Sequence, residues 1–433
     1  MDFTLDTGNT AWMLTSASLV LLMTPGLAFF YGGMVRGKSV LNMMMMSFTA
    51  IGVVGLIWVL YGYSGVFGGT DVAGFFANPF EWFGLSGMTD ADSLMAGTGV
   101  PALVAVGYQA TFAIITVALI SGAIAERTKF GTWLAFVAVW VTVVYVPLAH
   151  MVWGGGALGA DGLTSGLSTP IDFAGGTVVH INAGMAGLVL AVIIGKRRGF
   201  AKEPMRPHNL PFVMLGAALL WFGWFGFNAG SEFGADGVSG RAWLNTLVAT
   251  CLAMLGWLLT EKFRDGHATS LGAASGVVAG LVAITPAAVD TYGAIFIGLV
   301  AGVLCALAVG LKYRFGYDDS LDVVGVHLVG GLTGTILIGL FATNQNSAWY
   351  PDGAVNGLFY GGGATQLLTQ IIVALAAVVF SGLATVVIAL ILKAALGWRV
   401  REEAEVGGID LAVHGETAYE TLGGARVVTE VTA

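Results

Sequence analysis

Two histidines, His180 and His327, stand inside apolar runs suited to a lipid bilayer, and each opens the same spacing, HxxxGxxG. Gly184 and Gly187 follow the first; Gly331 and Gly334 follow the second. An ionisable side chain at membrane depth is costly and normally faces a bundle interior or a cavity. Two in matching positions therefore point to the lining of a path. Imidazole suits such a place because it donates and accepts a hydrogen bond at once and changes charge near neutral pH. The plainer reading, two core histidines satisfied by backbone carbonyls, stays open on these residues alone. Asp172 stands where an N-cap would begin the first run, and Asp322 begins the second run in the same way.

The elements that must hold these residues follow from composition. The chain has 433 residues, 56% hydrophobic and 10% charged, with 65 glycines, and its apolar runs exceed what a water-soluble core needs. The fold class implied is an all-α polytopic membrane protein. In such a chain the net charge of -8 says little about nucleic acid, but no basic patch large enough to hold phosphates appears, and no nucleic-acid partner is expected. Cys251 and Cys305 both lie in apolar runs, giving neither a disulfide framework nor a CxxC metal motif. No metal or cofactor is expected. The N-terminus, MDFTLDTGNT, lacks the basic region of a cleaved signal peptide.

Apolar runs of about 20 residues bounded by charged or Gly/Pro-rich turns predict eleven spans. They fall near 10–34, 41–66, 101–125, 130–150, 174–195, 210–229, 240–261, 269–288, 292–313, 322–342 and 364–393. With the N-terminus outside, every lysine and arginine of the 18 except Arg241 lies on the cytoplasmic side. An odd number of spans then leaves the C-terminus in the cytoplasm. The outer connections carry Asp2, Asp6, Asp71, Glu81, Asp90, Asp92, Asp161, Glu232, Asp236, Asp290 and Asp352, either a field that concentrates cations or simply what remains outside once the basic residues are kept in. His180 lies in the inward-running fifth span and His327 in the outward-running tenth. Spans 1–5 and 6–10 therefore read as inverted five-helix repeats around a central path, with a long eleventh span strapped outside.

Three aromatic motifs lie at the outer or middle part of spans: YQATF at Tyr108, HMVWGGG at His150 and GWFGFNAGSEF at Gly223. Trp82 and Trp349 fit a membrane-interface belt. Trp153, followed by three glycines, and Phe227, one residue before Asn228, fit an outer mouth that holds a small cation against ring faces. Each such contact is worth about 0.5–2 kcal/mol when desolvated, and Ser231 supplies a hydroxyl to accept a hydrogen bond from the cation.

Long motifs in a fixed order resemble one family, the ammonium transporters (Amt/Mep/Rh), and specifically a prokaryotic Amt. They are PGLAFFYGGMVR at Pro25, GAIAERTKF at Gly122, PLAHMVWGGG at Pro147, DFAGGTVVHINAG at Asp172, PHNLP at Pro207, GWFGFNAGS at Gly223, ITPA at Ile284 and DVVGVH at Asp322. The resemblance implies a homotrimer in the plasma membrane, the cell inner membrane of a bacterium, each subunit of eleven helices with its own pore. Its cargo would be ammonium or ammonia, with methylammonium as an analogue. By resemblance, Trp153, Ser231, Phe112 and Tyr108 form an outer recruitment site, Tyr108 replacing a phenylalanine common there. Phe112 and Phe227 match stacked rings that gate the pore, and His180 and His327 match twin histidines lining its lumen. Asp172 matches an aspartate that supports the outer site; Trp224 and Thr285 match further pore-associated positions.

The membrane domain is expected over 1–396, with a cytoplasmic regulatory tail over 397–433. EVGGIDLAVHGETAYE in that tail resembles the family's C-terminal motif, which implies a PII-type signalling protein as partner. Rival readings are a haem or metal protein ligated by the two histidines, an ammonium sensor and an Rh-like gas channel. The first lacks further ligands or CxxCH. A long fused signalling domain would favour the second, and Trp153 argues against the third. A transporter is expected not to be an enzyme.

Overall fold

The computed structural model describes residues 4–88, 94–95, 97–285, 287–345 and 350–419. Asp2, Asp90, Asp92, Trp349, Arg426 and the end of the tail from 420 lie outside them. Among the described residues ten helical segments are long and apolar enough to cross a membrane: α1 (Thr7–Met34), α2 (Val40–Phe67), α3 (Ala102–Ile124), α4 (Phe130–Trp153), α5 (Gly176–Ile194), α6 (Leu210–Glu232), α7 (Gly237–Asp265), α9 (Thr291–Phe315), α10 (Val324–Phe341) and α11 (Thr365–Ala395). Between α7 and α9 runs α8 (Ser270–Ile284), apolar but shorter than the predicted 269–288. The shortening has a backbone cause: Ala287 and Ala288 take positive φ, so the chain leaves the helical path just after Thr285. One addition to an otherwise helical chain is a two-residue antiparallel ribbon, β1 (Asp71–Val72) with β2 (Phe76–Ala77), in the α2–α3 connection.

Most helices are apolar all round, as burial on one side and lipid on the other require. α1 packs along α6, α7 along α8 and α9, and α11 lies across α4, α5 and α10. Polar side chains pin α11. Gln370 accepts from the Ile171 amide and donates to the carbonyls of Ile171 and Thr335, while Gln366 bonds Ser168 and Thr169.

The two ends of the bundle differ in charge. At one, the acidic connections interlock: Asp6 with Gly99, Ala157 with Gly74, Thr169 with Asp352. At the other, basic residues meet carboxylates in the interior. Glu126 binds Arg36 and Arg197, both at 2.9 Å, and Arg197 also binds Asp318 at 2.9 Å. Burial pushes the Glu126 and Asp318 carboxyls up, but the guanidiniums of Arg197 and its neighbours outweigh it and hold both below the usual range.

The described part of the tail is laid over this basic end. Trp398 is buried and donates to Ala389; Val400 donates to Arg127. Glu405, in the short helix α12 (Glu402–Gly407), accepts from Arg399 and from the Arg198 amide. Asp410 caps α2 through the amides of Leu41 and Asn42, His414 bonds Asn42, and Tyr419 bonds His208. One segment thus touches the α1–α2, α3–α4 and α5–α6 connections together.

Candidate functional site

The aromatic and histidine residues singled out by the sequence converge on one line through the bundle. At the acidic end, Trp153 closes α4, and its indole Nε1 donates to the Asp172 carbonyl at 2.8 Å. Of the three glycines after it, Gly154 and Gly156 are required by close packing, and Gly155 takes positive φ. A Cβ at Gly154 would come within 2.2 Å of the Val66 carbonyl and 2.4 Å of His150 Nδ1. His150 itself ties α4 to the connection above it, with Nδ1 to the Val66 carbonyl at 2.7 Å and Nε2 to Asp71 at 2.8 Å.

Phe112 stands edge-on to Trp153, ring centroids 6.2 Å apart, and is stacked on Phe227 at 4.0 Å with a 20° angle between planes. Tyr108 packs on Phe112 at 4.9 Å, but its hydroxyl is engaged by the carbonyls of Gly226 and Phe227 and by Ser231 Oγ. Ser231 in turn donates to the Phe227 carbonyl at 2.8 Å. Below the stacked phenyl rings lies His180, 6.2 Å from Phe227 by centroid and stacked on Trp224 at 5.3 Å. Trp224 is itself anchored, Nε1 donating to Thr285 Oγ1 at 3.0 Å.

His180 and His327 face each other, Nδ1 to Nδ1 at 3.3 Å with ring planes 22° apart. Both partners in that bond are ring nitrogens, so one must carry the proton and the other accept it. The pair therefore holds one shared proton position between them. Among the described residues the second nitrogen of His180 has no hydrogen-bond partner, and it is buried. A narrow cavity joins the two rings to Met23, Leu27, Phe30, Ile115, Leu220 and Val278, apolar side chains throughout, with room for about one water-sized molecule.

The local folding explains how two ionisable rings reach this depth. α5 and α10 begin with π-helical turns, Gly176–Ile181 and Val324–Leu328, rather than regular α-helix. These broken starts cross: a Cβ at Gly184 would lie 2.4 Å from the Leu328 amide, and one at Gly331 only 3.1 Å from His180 Cβ. The paired glycines bring the two histidine-bearing turns into contact.

Each broken start has freed amides, and an aspartate takes them. Asp172 accepts from Gly175, Thr177 and Val178 at 3.1 Å each. In the second half the equivalent is Asp319, which accepts from Val323 at 3.1 Å and Val324 at 2.7 Å. This corrects the expectation that Asp322 begins the second run as Asp172 begins the first. Asp322 holds positive φ at the position of Gly175 and turns its carboxylate to Lys312, 2.5 Å from Nζ. The missed signal was a distance: Asp172 precedes His180 by the same interval as Asp319 precedes His327. Lys312, Glu126 and Asp318 are further buried charged groups at the basic end. An Asp-Asp pair directly before the histidine segment and one glutamate among basic residues were the available cues.

Comparison with known proteins bears on this arrangement over nearly its whole length. The family model described as Ammonium Transporter Family matches residues 11–419. This chain belongs to the ammonium transporter family. It is 57% identical to an ammonium transporter of Mycobacterium tuberculosis over 96% of this chain and 91% of that protein. It is 50% identical to one of Aquifex aeolicus over 96% and 94%. Among solved structures, Candida albicans Mep2 superposes with a TM-score of 0.83 at 32% identity, covering 92% of this chain and 88% of that one. A protein described as a Sensor Amt Protein gives 0.83 at 27%, covering 94% and 98%. Membership makes the chain an ammonium transporter rather than an enzyme, and a multi-pass protein of the plasma membrane. Among the described residues no cluster of three or more histidine, cysteine or carboxylate side chains offers a metal site.

Proposed function

We propose that this transporter recruits ammonium at its acidic end, removes a proton, and passes ammonia between His180 and His327. The observation that carries the reading is the facing histidine pair in an apolar cavity directly beneath the stacked rings of Phe112 and Phe227. The acidic connections attract the cation. Trp153, Phe112 and Ser231 meet it, with Tyr108 shaping the wall through its ring. Asp172 acts indirectly, holding the carbonyl on which the Trp153 indole rests and the amides that begin α5.

Selectivity follows from the cost of burying charge. Ammonium and potassium are similar in size, so a polar filter would separate them poorly. An apolar lumen admits a neutral molecule at little cost but excludes an ion that cannot become neutral, because an unpaired charge there costs many kcal/mol. Ammonium can lose its proton and potassium cannot. The shared proton position between the imidazoles offers ammonia a donor and an acceptor, and it gives the separated proton a route inward. The stacked phenyl rings keep bulk water from entering above.

In this reading the acidic end is outside and the basic end cytoplasmic. The chain assembles as a homotrimer with one pore per subunit, and 397–433 is a cytoplasmic tail through which a PII-type protein blocks conduction. The tail's simultaneous contacts with three connections support that role.

The deciding experiment is current measurement on protein reconstituted in liposomes, challenged with ammonium and then with potassium. An ammonium-dependent current that potassium does not elicit is expected; equal responses would overturn the deprotonation filter. His180→Ala and His327→Ala should each lower transport or admit potassium. If both leave flux and selectivity as in wild type, the pair is structural.

A further inference from the structure

We propose that Lys312 is a tethered cation filling the inner counterpart of the outer ammonium site, so that the path binds its cargo at one end only. The inference rests on the transport reading above and deepens it. It begins from a correspondence between the two halves. α4 leads into α5 and ends on Trp153, whose indole donates to the carbonyl of the capping aspartate, Asp172, at 2.8 Å. α9 leads into α10, and near its end Lys312 donates to the carbonyl of the other capping aspartate, Asp319, at 3.0 Å. The donors take the same place in the two halves but differ in charge. Indole is neutral and brings no charge of its own, so a cation held there meets a ring rather than a second positive group. The lysine brings its own ammonium group and a carboxylate to match, Asp322 Oδ1 at 2.5 Å.

The setting is a binding site in every other respect. Lys312 is buried. A cavity at the basic end of the path reaches it, lined also by Met34, Ser320, Leu321 and Asp322. Met34 lies on α1 beyond Met23, Leu27 and Phe30, which line the histidine cavity, so the two cavities succeed each other along one helix. The charged groups facing Lys312 are the Asp319 and Asp322 carboxyls, and Arg197 and Glu203 line the same cavity. A small ammonium ion leaving the path would find there a carbonyl and a carboxylate spaced for an N–H donor, were Nζ not already between them. The lysine keeps this exit from retaining cargo.

The test uses the full chain in proteoliposomes of a single orientation. Ammonium on the acidic side drives the current while ammonium chloride, or sodium chloride as control, is preloaded on the basic side. Lys312→Gln should be half-inhibited by preloaded ammonium at roughly tenfold lower concentration than wild type, because an unpaired buried carboxylate gains most from a replacement cation. Lys312→Gln combined with Asp322→Asn should return to wild-type sensitivity, and Lys312→Arg should keep it. Asp322→Asn alone decides the matter if Lys312→Gln does not assemble. It leaves the lysine charge without its counter-charge at the exit and should lower the maximal current with the apparent ammonium affinity unchanged. The inference is overturned if Lys312→Gln assembles with wild-type sensitivity, or if Asp322→Asn conducts as wild type does. Selective wild-type current with either result removes this inference and leaves the transport reading standing. Loss of selectivity in wild type removes that reading first.

Discussion

The two halves of the path use one device to different ends. In each, an aspartate caps a helix that starts irregularly, a positive-φ residue follows it by three positions, and a histidine follows by eight, as in Asp172, Gly175 and His180 against Asp319, Asp322 and His327. What differs is the side chain resting on the aspartate's carbonyl. At the acidic end it is an indole beside stacked phenyl rings; at the basic end it is an ammonium group paired with a carboxylate. The repeated part makes the fold and brings the histidines together. The unrepeated part gives each end its own chemistry. Symmetry here is a property of the backbone, and direction is a property of a few side chains set on it.

The largest effects should come from breaking what the halves share. Asp172→Ala and Asp319→Ala each strand buried amides, and an unsatisfied buried donor costs about 1–3 kcal/mol. Asp172→Ala, with three amides released, should be the more damaging and should abolish transport along with a clear drop in melting temperature of the purified protein. Asp319→Ala should follow it, with two amides released. Asp322→Asn combined with Lys312→Gln removes that buried ion pair as a whole and releases no capping amide, so it should melt closer to wild type. If this double variant melts lower than Asp319→Ala, the pairing of the halves given above is wrong.

That ordering also marks where sequence reasoning reached and where it stopped. Helix positions were legible because lipid demands long apolar runs, so even α11 falls within a few residues of its expected bounds. His180, His327 and the aromatic motifs were legible because such residues are out of place in those runs. Asp319 is marked only by its interval to His327, because one of three aspartates in a polar connection looks ordinary. The backbone shows that its carboxylate, and not that of Asp322, is aimed at Val323 and Val324. The same holds for Glu126 and Arg197, whose pairing depends on a positive φ at Glu126 that spacing does not reveal.

A smaller effect should appear at the acidic end alone. Trp153→Leu removes a ring face and the indole donor while leaving the histidine pair in place. The expected result is an apparent ammonium affinity weakened by roughly 2- to 30-fold, the range that one cation–ring contact spans, with potassium still excluded. Measured as the concentration dependence of the liposome current, an unchanged affinity would place recruitment elsewhere and end the contrast between the two carbonyl partners. Potassium passage in the same variant would instead mean that the filter lies at the rings rather than at the histidines.

The smallest effect should come from Tyr108→Phe, and it tests whether the outer wall binds through rings or through hydroxyls. Tyr108 is fully buried, and its hydroxyl already has the Gly226 and Phe227 carbonyls and Ser231 as partners. Phenylalanine keeps the ring against Phe112 and loses only that hydrogen bonding, a net cost of about 0.5–1.5 kcal/mol. The melting temperature should fall slightly, while the apparent ammonium affinity should move by less than about threefold, well inside one factor of ten. A loss as large as that of Trp153→Leu would mean that the hydroxyl leaves its protein partners to meet the cation. The acidic end would then resemble the basic one more than its geometry suggests, each relying on a polar group of its own rather than on an open ring face.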